Sequence, residues 1–285
     1  MASFDDFVRH RKFFVGVSPA TLSWYEYCFR WINENPSQTD LQNAVISMRE
    51  RGLKATGINS AISCWNAYAH WLAIGSDVKC GQMCKHPKIA RLREPEHFPP
   101  TFSDSQIHRL VTYKPKHGER RTHLIALTLF DTGGRISELL NLRVSNVDLD
   151  NLLAKLRGKG DKERVVPISP ELRKAVHRYI VDFERRSEQL LFATRNKTPL
   201  GRRNVLRDVK RLCKRLGFAP PGRTLHAARH TFATGYLRRG GNALALQRVM
   251  GHADLETTRR YVHLTVEDLK AAHEKTSLLK PRLGV

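Results

Sequence analysis

Acidic side chains are scarce in this 285-residue sequence: 27 Asp and Glu stand against 49 Lys and Arg, a formal net charge of +22. A deficit of that size calls for a polyanionic partner, most simply nucleic acid. An anionic membrane surface would also attract such a chain, but no lipidation signal or basic amphipathic N-terminus accompanies the charge. The bland alternative is a merely soluble, highly charged surface. Cysteine is scarce too. Five residues (Cys28, Cys64, Cys80, Cys84, Cys213), few and odd in number, argue against a disulfide framework and for reduced thiols in a cytoplasmic compartment. Cys80, Cys84 and His86 stand close together without a convincing fourth ligand, so incidental thiols outweigh a metal site. No apolar run approaches the ~20 residues of a membrane span, and the opening MASFDDFVRH is not a signal peptide.

What is present is a foldable chain, 41% hydrophobic, long enough for two domains. The charge is uneven. Residues 1–97 hold 12 Lys/Arg and 9 Asp/Glu, a net of +3, whereas residues 98–285 hold 37 and 18, a net of +19. Between them REPEHFPPTFSD carries three prolines that no helix interior accepts, which places a linker at 96–101 between domains 1–95 and 102–285. The first domain reads as three or four short helices. Ser18-Pro19 is a cap followed by a first-turn proline. Leu22, Tyr25, Phe29 and Ile32 recur at helical spacing, as do Ile58, Ile62, Trp65, Tyr68, Ala69 and Leu72 after a break flanked by Gly52 and Gly57. These aromatic residues read as core. The second domain enters a helix at Phe102-Ser103-Asp104 and runs a longer one through 121–130. Two strands follow, 152–157 and 164–168, joined by Gly158-Lys159-Gly160-Asp161 as a hairpin. Helices are expected at 170–188, 202–216, 226–239, 242–249 and 255–262. The fold class is mainly α with a small antiparallel sheet.

Five stretches offer chemistry suited to a polyanion. In TGGRISELLNLRVSNVD, Arg135 follows a glycine pair and presents a fork that fits phosphate; Glu138, three residues on, is placed to orient it. In LRGKGDKERVVPIS, Lys159 on a tight turn suits proton donation to a departing oxygen. In LHAARHTFAT, His226 and Arg229 share a helix face; His230 points elsewhere and reads as structural. GHADLETTRRYVHL brings His252 and Tyr261. RRNVLRDVKRLCKRLGF sets six cations around an apolar stripe of Val205, Val209, Leu212 and Leu216, against the single acid Asp208. Each signal is weak alone, because an exposed Arg, a turn Lys or a helical Tyr usually serves only solvation or packing. Together they supply what phosphoryl transfer needs: cations for a pentacoordinate phosphorus, proton donors and a nucleophile.

The order and context of these motifs resemble the tyrosine recombinases, the phage integrase family of site-specific DNA recombinases. The resemblance spans essentially the whole chain and is strongest over 102–265. It implies catalytic roles for Arg135, Lys159, His226, Arg229, His252 and Tyr261. It also implies a helical core-binding domain and a catalytic domain that clamp double-stranded DNA. Tyr261 would form a 3′-phosphotyrosyl intermediate, releasing a 5′-hydroxyl, with no metal or other cofactor. The assembly implied is a monomer when free and a homotetramer on DNA, with no membrane partner. Arg259 and Arg260 would touch DNA backbone or a neighbouring subunit. Leu269, Ala272 and Leu278 would line a terminal helix docked in cis or in trans. No room is left before the first domain for the arm-binding domain of larger integrases. Three positions depart from the usual pattern: Gly134 and Ala228 stand where larger apolar residues are common, and Met250 replaces a leucine. A type IB topoisomerase-like activity shares the chemistry and differs in relaxing DNA of any sequence. A binding-only DNA protein would have been free to lose Tyr261 or an arginine.

Overall fold

The computed structural model describes residues 3–75, 88–94, 99–158, 161–251, 258 and 261. The chain forms two compact units, Met1–His97 and Phe98–Val285. Cys80, Cys84, His86, Lys159, His252, Arg259, Arg260 and everything after 261 lie outside the described residues. No helix among the described residues is long and apolar enough to cross a membrane.

The first unit contains helices α1 (Phe4–Phe13), α2 (Pro19–Phe29), α3 (Gln38–Glu50) and α4 (Ala55–Gly75). Local chemistry sets their starts. Ser18 caps α2, accepting from the Thr21 amide ahead of Pro19. Ser37 and Asp40 cap α3 reciprocally, at 3.1 and 2.8 Å, which satisfies two amides that the helix leaves free. Gly57 lies inside the first turn of α4 rather than at its border. Its φ is negative, so it costs helix propensity without breaking the chain. The core is aromatic: Phe7 packs edge-on against Tyr25, Phe29 and Tyr68 at 5.0, 5.8 and 5.4 Å. Edge-to-face contact is the favoured arrangement of such rings. Trp65 is buried and donates from Nε1 to the Cys28 carbonyl at 3.0 Å. Asn59 ties the strip 88–94 to α4 through both backbone groups of Leu92, at 2.8 and 2.7 Å. Cys28, Cys64 and Cys213 are buried free thiols.

The second unit runs α5 (Asp104–Thr112), α6 (Arg120–Thr132), α7 (Ile136–Leu140), β1 (Val147–Asp148), β2 (Leu153–Arg157), β3 (Glu163–Pro167), α8 (Pro170–Asp182), α9 (Arg202–Arg215), α10 (Thr224–Arg238) and α11 (Ala243–Met250). Helix α6 is central and packs on α8, α9 and α10. Seven of its thirteen residues are buried, Leu124, Ile125 and Leu129 among them. The sheet is antiparallel in the order β1-β2-β3; the two-residue β1 is too short to leave an alternating pattern in the sequence. Helix α8 ends six residues before the expected 188. Beyond it the backbone groups of Ser187, Gln189 and Leu191 pair with Ser145, Val144 and Leu142 at 3.0, 3.0 and 2.7 Å, which removes them from helical bonding.

Candidate active site

Helix α6 ends at Gly133, whose left-handed φ of +59° turns the chain into α7. A Cβ at Gly133 would lie 2.2 Å from the Phe232 ring, so only glycine permits this approach of α6 to α10. The turn sets Arg135 at the N-cap of α7, where Glu138 receives both its amide (2.7 Å) and its guanidinium (2.9 Å). The same carboxylate takes two further hydrogen bonds from Arg164 on β3, at 2.7 and 2.8 Å. Glu138 is buried, with 2% of its side chain exposed. Burial alone pushes its carboxyl up, but the hydrogen bonds from Arg164 and the Arg135 amide, with the charge of Arg164, outweigh that and hold its pKa at about 2. Arg135 remains 41% exposed. A guanidinium fixed on one edge and open on the other is suited to an anion.

Arg229 on α10 is buried and donates to the carbonyls of Gly133 and Met250, both at 2.7 Å. Burial, followed by the charge of Arg135, draws its pKa down to about 10, so it stays a cation at neutral pH. Met250 is one of three consecutive carbonyls at the C-terminal end of α11 that guanidinium groups occupy. Arg164 Nε reaches Val249 at 2.7 Å and Arg135 reaches Gly251 at 3.3 Å. These are carbonyls that a helix leaves without internal partners, at the negative end of its dipole. Gly251, at φ +63°, closes the helix; a Cβ there would meet Arg164 Cδ at 2.9 Å.

His226 opens toward the surface of α10 with Nε2 3.1 Å from the Arg202 guanidinium. Burial, then the charges of Arg202, Arg223, Arg229 and Arg135, lower its pKa. His230, one turn further, places Nδ1 2.7 Å from the Tyr261 hydroxyl, with ring centroids 5.5 Å apart. Tyr261 also packs against the buried cluster of Ala233, Leu246 and Met250. Burial, followed by His226, Arg229 and Arg223, takes the His230 pKa to about 4, so the ring is neutral at physiological pH.

Four of the six residues singled out in the sequence therefore share one locality. Arg135, His226 and Arg229 act on one another electrostatically, and Tyr261 acts on Arg229. Lys159 and His252 lie outside the described residues, although their neighbours Gly158 and Gly251 flank Glu138 and Arg164 respectively. The expectation that His230 points elsewhere is wrong. Residues 226 and 230 are four apart, one helical turn, and share a face; that spacing was the available signal. Arg164 was also missed. It stands opposite Leu156 in the β2–β3 register, two residues before buried Val166, while Val165 between them is 55% exposed. A strand that turns Arg inward and Val outward marks that Arg as partnered. Gly134 sits with Leu139 and Leu156 side chains 3.1 Å from where a Cβ would be, so this chain has packed into the space that a larger residue would take.

Helix α9 carries the basic face next to this site. Val205, Val209 and Leu212 are buried, and Arg203, Arg207, Lys210, Arg211 and Lys214 line an open groove with Leu206.

Residues 101–268 match the phage integrase family. The chain belongs to that family of tyrosine recombinases. Tyrosine recombinase XerA of Thermococcus kodakarensis is 33% identical over 275 residues, covering 94% of this chain and 93% of its own. XerC of Staphylococcus carnosus is 29% identical, covering 82% and 79%. A crystal structure of XerA recombinase aligns over 98% of both chains at 25% identity and a TM-score of 0.54. The Tn1549 transposon integrase, solved in complex with transposon right end DNA, aligns over 96% of this chain and 98% of its own. At 23% identity its TM-score of 0.75 is a likeness of fold. This phage integrase family member thus has the helical architecture with a small antiparallel sheet that the family's catalytic domains share.

Proposed function

We propose that this protein is a site-specific DNA recombinase that breaks and rejoins DNA through a 3′-phosphotyrosyl intermediate. The observation that carries this reading is the gathering of Arg135, His226 and Arg229 around one locality that also holds the Tyr261 hydroxyl. In it, Tyr261 Oη attacks the scissile phosphorus and the P–O5′ bond breaks. Arg135 and Arg229 balance charge on the pentacoordinate phosphorus, with His226 and His252 hydrogen-bonded to its oxygens. Lys159 protonates the leaving 5′-oxygen. The phosphotyrosyl bond conserves the energy of the broken diester, so the reverse attack by a 5′-hydroxyl needs no external energy source. Double-stranded DNA is the partner, gripped by the +19 second unit and by the helical first unit as core-binding domain. The working assembly is a homotetramer on DNA, formed from monomers, acting in the cytoplasm. The DNA complexes of the fold's solved relatives support the choice of partner.

The test is a nicked suicide duplex carrying the recombination site, found as inverted half-sites around a short spacer in the DNA flanking the coding sequence. Wild-type protein forms a covalent adduct with it. Tyr261→Phe forms none, and Arg135→Lys is severely impaired because an ammonium lacks the guanidinium fork. An adduct with Tyr261→Phe would remove Tyr261 as nucleophile.

A further inference from the structure

We propose that His230 is the general base of the cleavage step: Nδ1 accepts the Tyr261 hydroxyl proton as Oη bonds to phosphorus. The inference rests on Tyr261 being the nucleophile. The geometry is direct, because the reacting oxygen lies 2.7 Å from Nδ1, within the range a proton transfer requires. A phenol with an ordinary pKa near ~10 is almost wholly protonated at neutral pH, so the attacking oxygen must lose a proton to some acceptor. The nearby guanidinium groups of Arg135, Arg164 and Arg229 are cations without a free acceptor lone pair. A neutral imidazole has one.

The ionisable surroundings fix which form His230 takes. On its own helix, His226, Arg229 and Arg223 press it toward neutrality after burial has done so. Arg135 from the N-cap of α7, Glu138 on α7 and Arg164 on β3 act on Arg229, and Arg202 on α9 acts on His226. A phosphodiester bound among these cations offsets part of their charge, which raises the proton affinity of the imidazole when the proton must move. The step balances. The Tyr261 O–H bond breaks and its proton goes to Nδ1, the Oη–P bond forms, and the P–O5′ bond breaks with the 5′-oxygen taking a proton from the general acid. The imidazolium returns its proton to Oη when the 5′-hydroxyl attacks in the reverse step.

His230→Asn tests this, because its Oδ1 retains an acceptor near the Nδ1 position and has no useful basicity. Single-turnover adduct formation on the suicide duplex is followed from pH 5.5 to 8 at saturating protein, with duplex binding as the check on folding. Wild-type cleavage should be level through the acidic half of that range. His230→Asn should be at least about 100-fold slower at pH 7, within the range of general-base effects. Its rate should rise about tenfold per pH unit as hydroxide replaces the base. His230→Ala should behave alike. A variant within threefold of wild type overturns the proposal, and so does a slower variant whose pH profile is unchanged, since that would be a structural effect. If neither variant folds, the wild-type profile decides: a tenfold rise per unit overturns the proposal and a level one supports it. Tyr261→Phe separates the two readings. No adduct from it with an unimpaired His230→Asn overturns the base alone, whereas an adduct from it overturns the nucleophile and the base together.

Discussion

Arg164 and Glu138 meet as a fork on a carboxylate, with both guanidinium N–H groups within 2.8 Å and Glu138 nearly sealed from solvent. Arg135 shares the same carboxylate. One buried anion thus sets the orientation of an arginine proposed to hold the scissile phosphate.

The ion pair makes stability depend on acid in a defined window. Glu138 titrates at about 2 in the fold against 4.5 in an unpaired chain. A depressed carboxyl contributes stability above the unfolded value and loses it as pH falls toward the folded one. Urea unfolding should therefore show Glu138→Gln less stable than wild type by about 3 kcal/mol at pH 7, with the gap reduced to about half by pH 3. A gap that stays constant over that range would refute the buried pair.

Gly133→Ala should be more costly than its size suggests. The position combines a left-handed φ with a Phe232 ring in the space of the added carbon. Strain and overpacking together cost about 3 kcal/mol or more. In Gly133→Ala/Phe232→Ala the penalties should not add, because the second substitution removes the clash. Melting temperatures of the four proteins of that cycle measure the coupling.

The groove on α9 should read backbone charge. Replacing Arg207 and Lys210 with Gln should weaken binding to every duplex sequence alike. The slope of log K against log salt should become shallower by about 2 in magnitude. A loss confined to one sequence would instead assign these residues to base contacts.

Arg202→Gln should raise the pKa of His226, because the guanidinium at 3.1 Å opposes a second positive charge. The value should remain below the ordinary 6.5, since burial is the larger cause of the depression. A histidine-resolved NMR titration reports both shifts.

Much of the fold was legible because its signals are local. Ser18-Pro19, the Ser103 cap and the two strands around Gly158 lie where short-range chemistry puts them. Arg135, His226 and Arg229, which the structure brings to one locality, stood out in the sequence through their company in the motifs. The rest was harder to read. Helix α8 closes at a left-handed Glu184, φ +46°, with the Arg185 amide returned to the Ile180 carbonyl, a stop that glycine would announce and glutamate does not. His230 meets Tyr261 only after the chain has passed through α11 and returned across 31 residues. Arg164 lies five residues after the turn lysine Lys159; only the inverted alternation of β3 marks it.

The three guanidinium groups on the last carbonyls of α11 give the site its own counter-ion. Clustered cations repel one another, yet here a helix terminus offsets them before any substrate arrives. On the proposed reading, an incoming phosphate competes with a peptide carbonyl for Arg135, in an exchange of acceptors. The contest is unequal among the three. Arg229 is held by two bonds of 2.7 Å and buried, whereas Arg135 gives Gly251 its longest bond, 3.3 Å, and faces solvent. Arg135 is the more loosely held and more open of the two, and Arg229 the more firmly fixed.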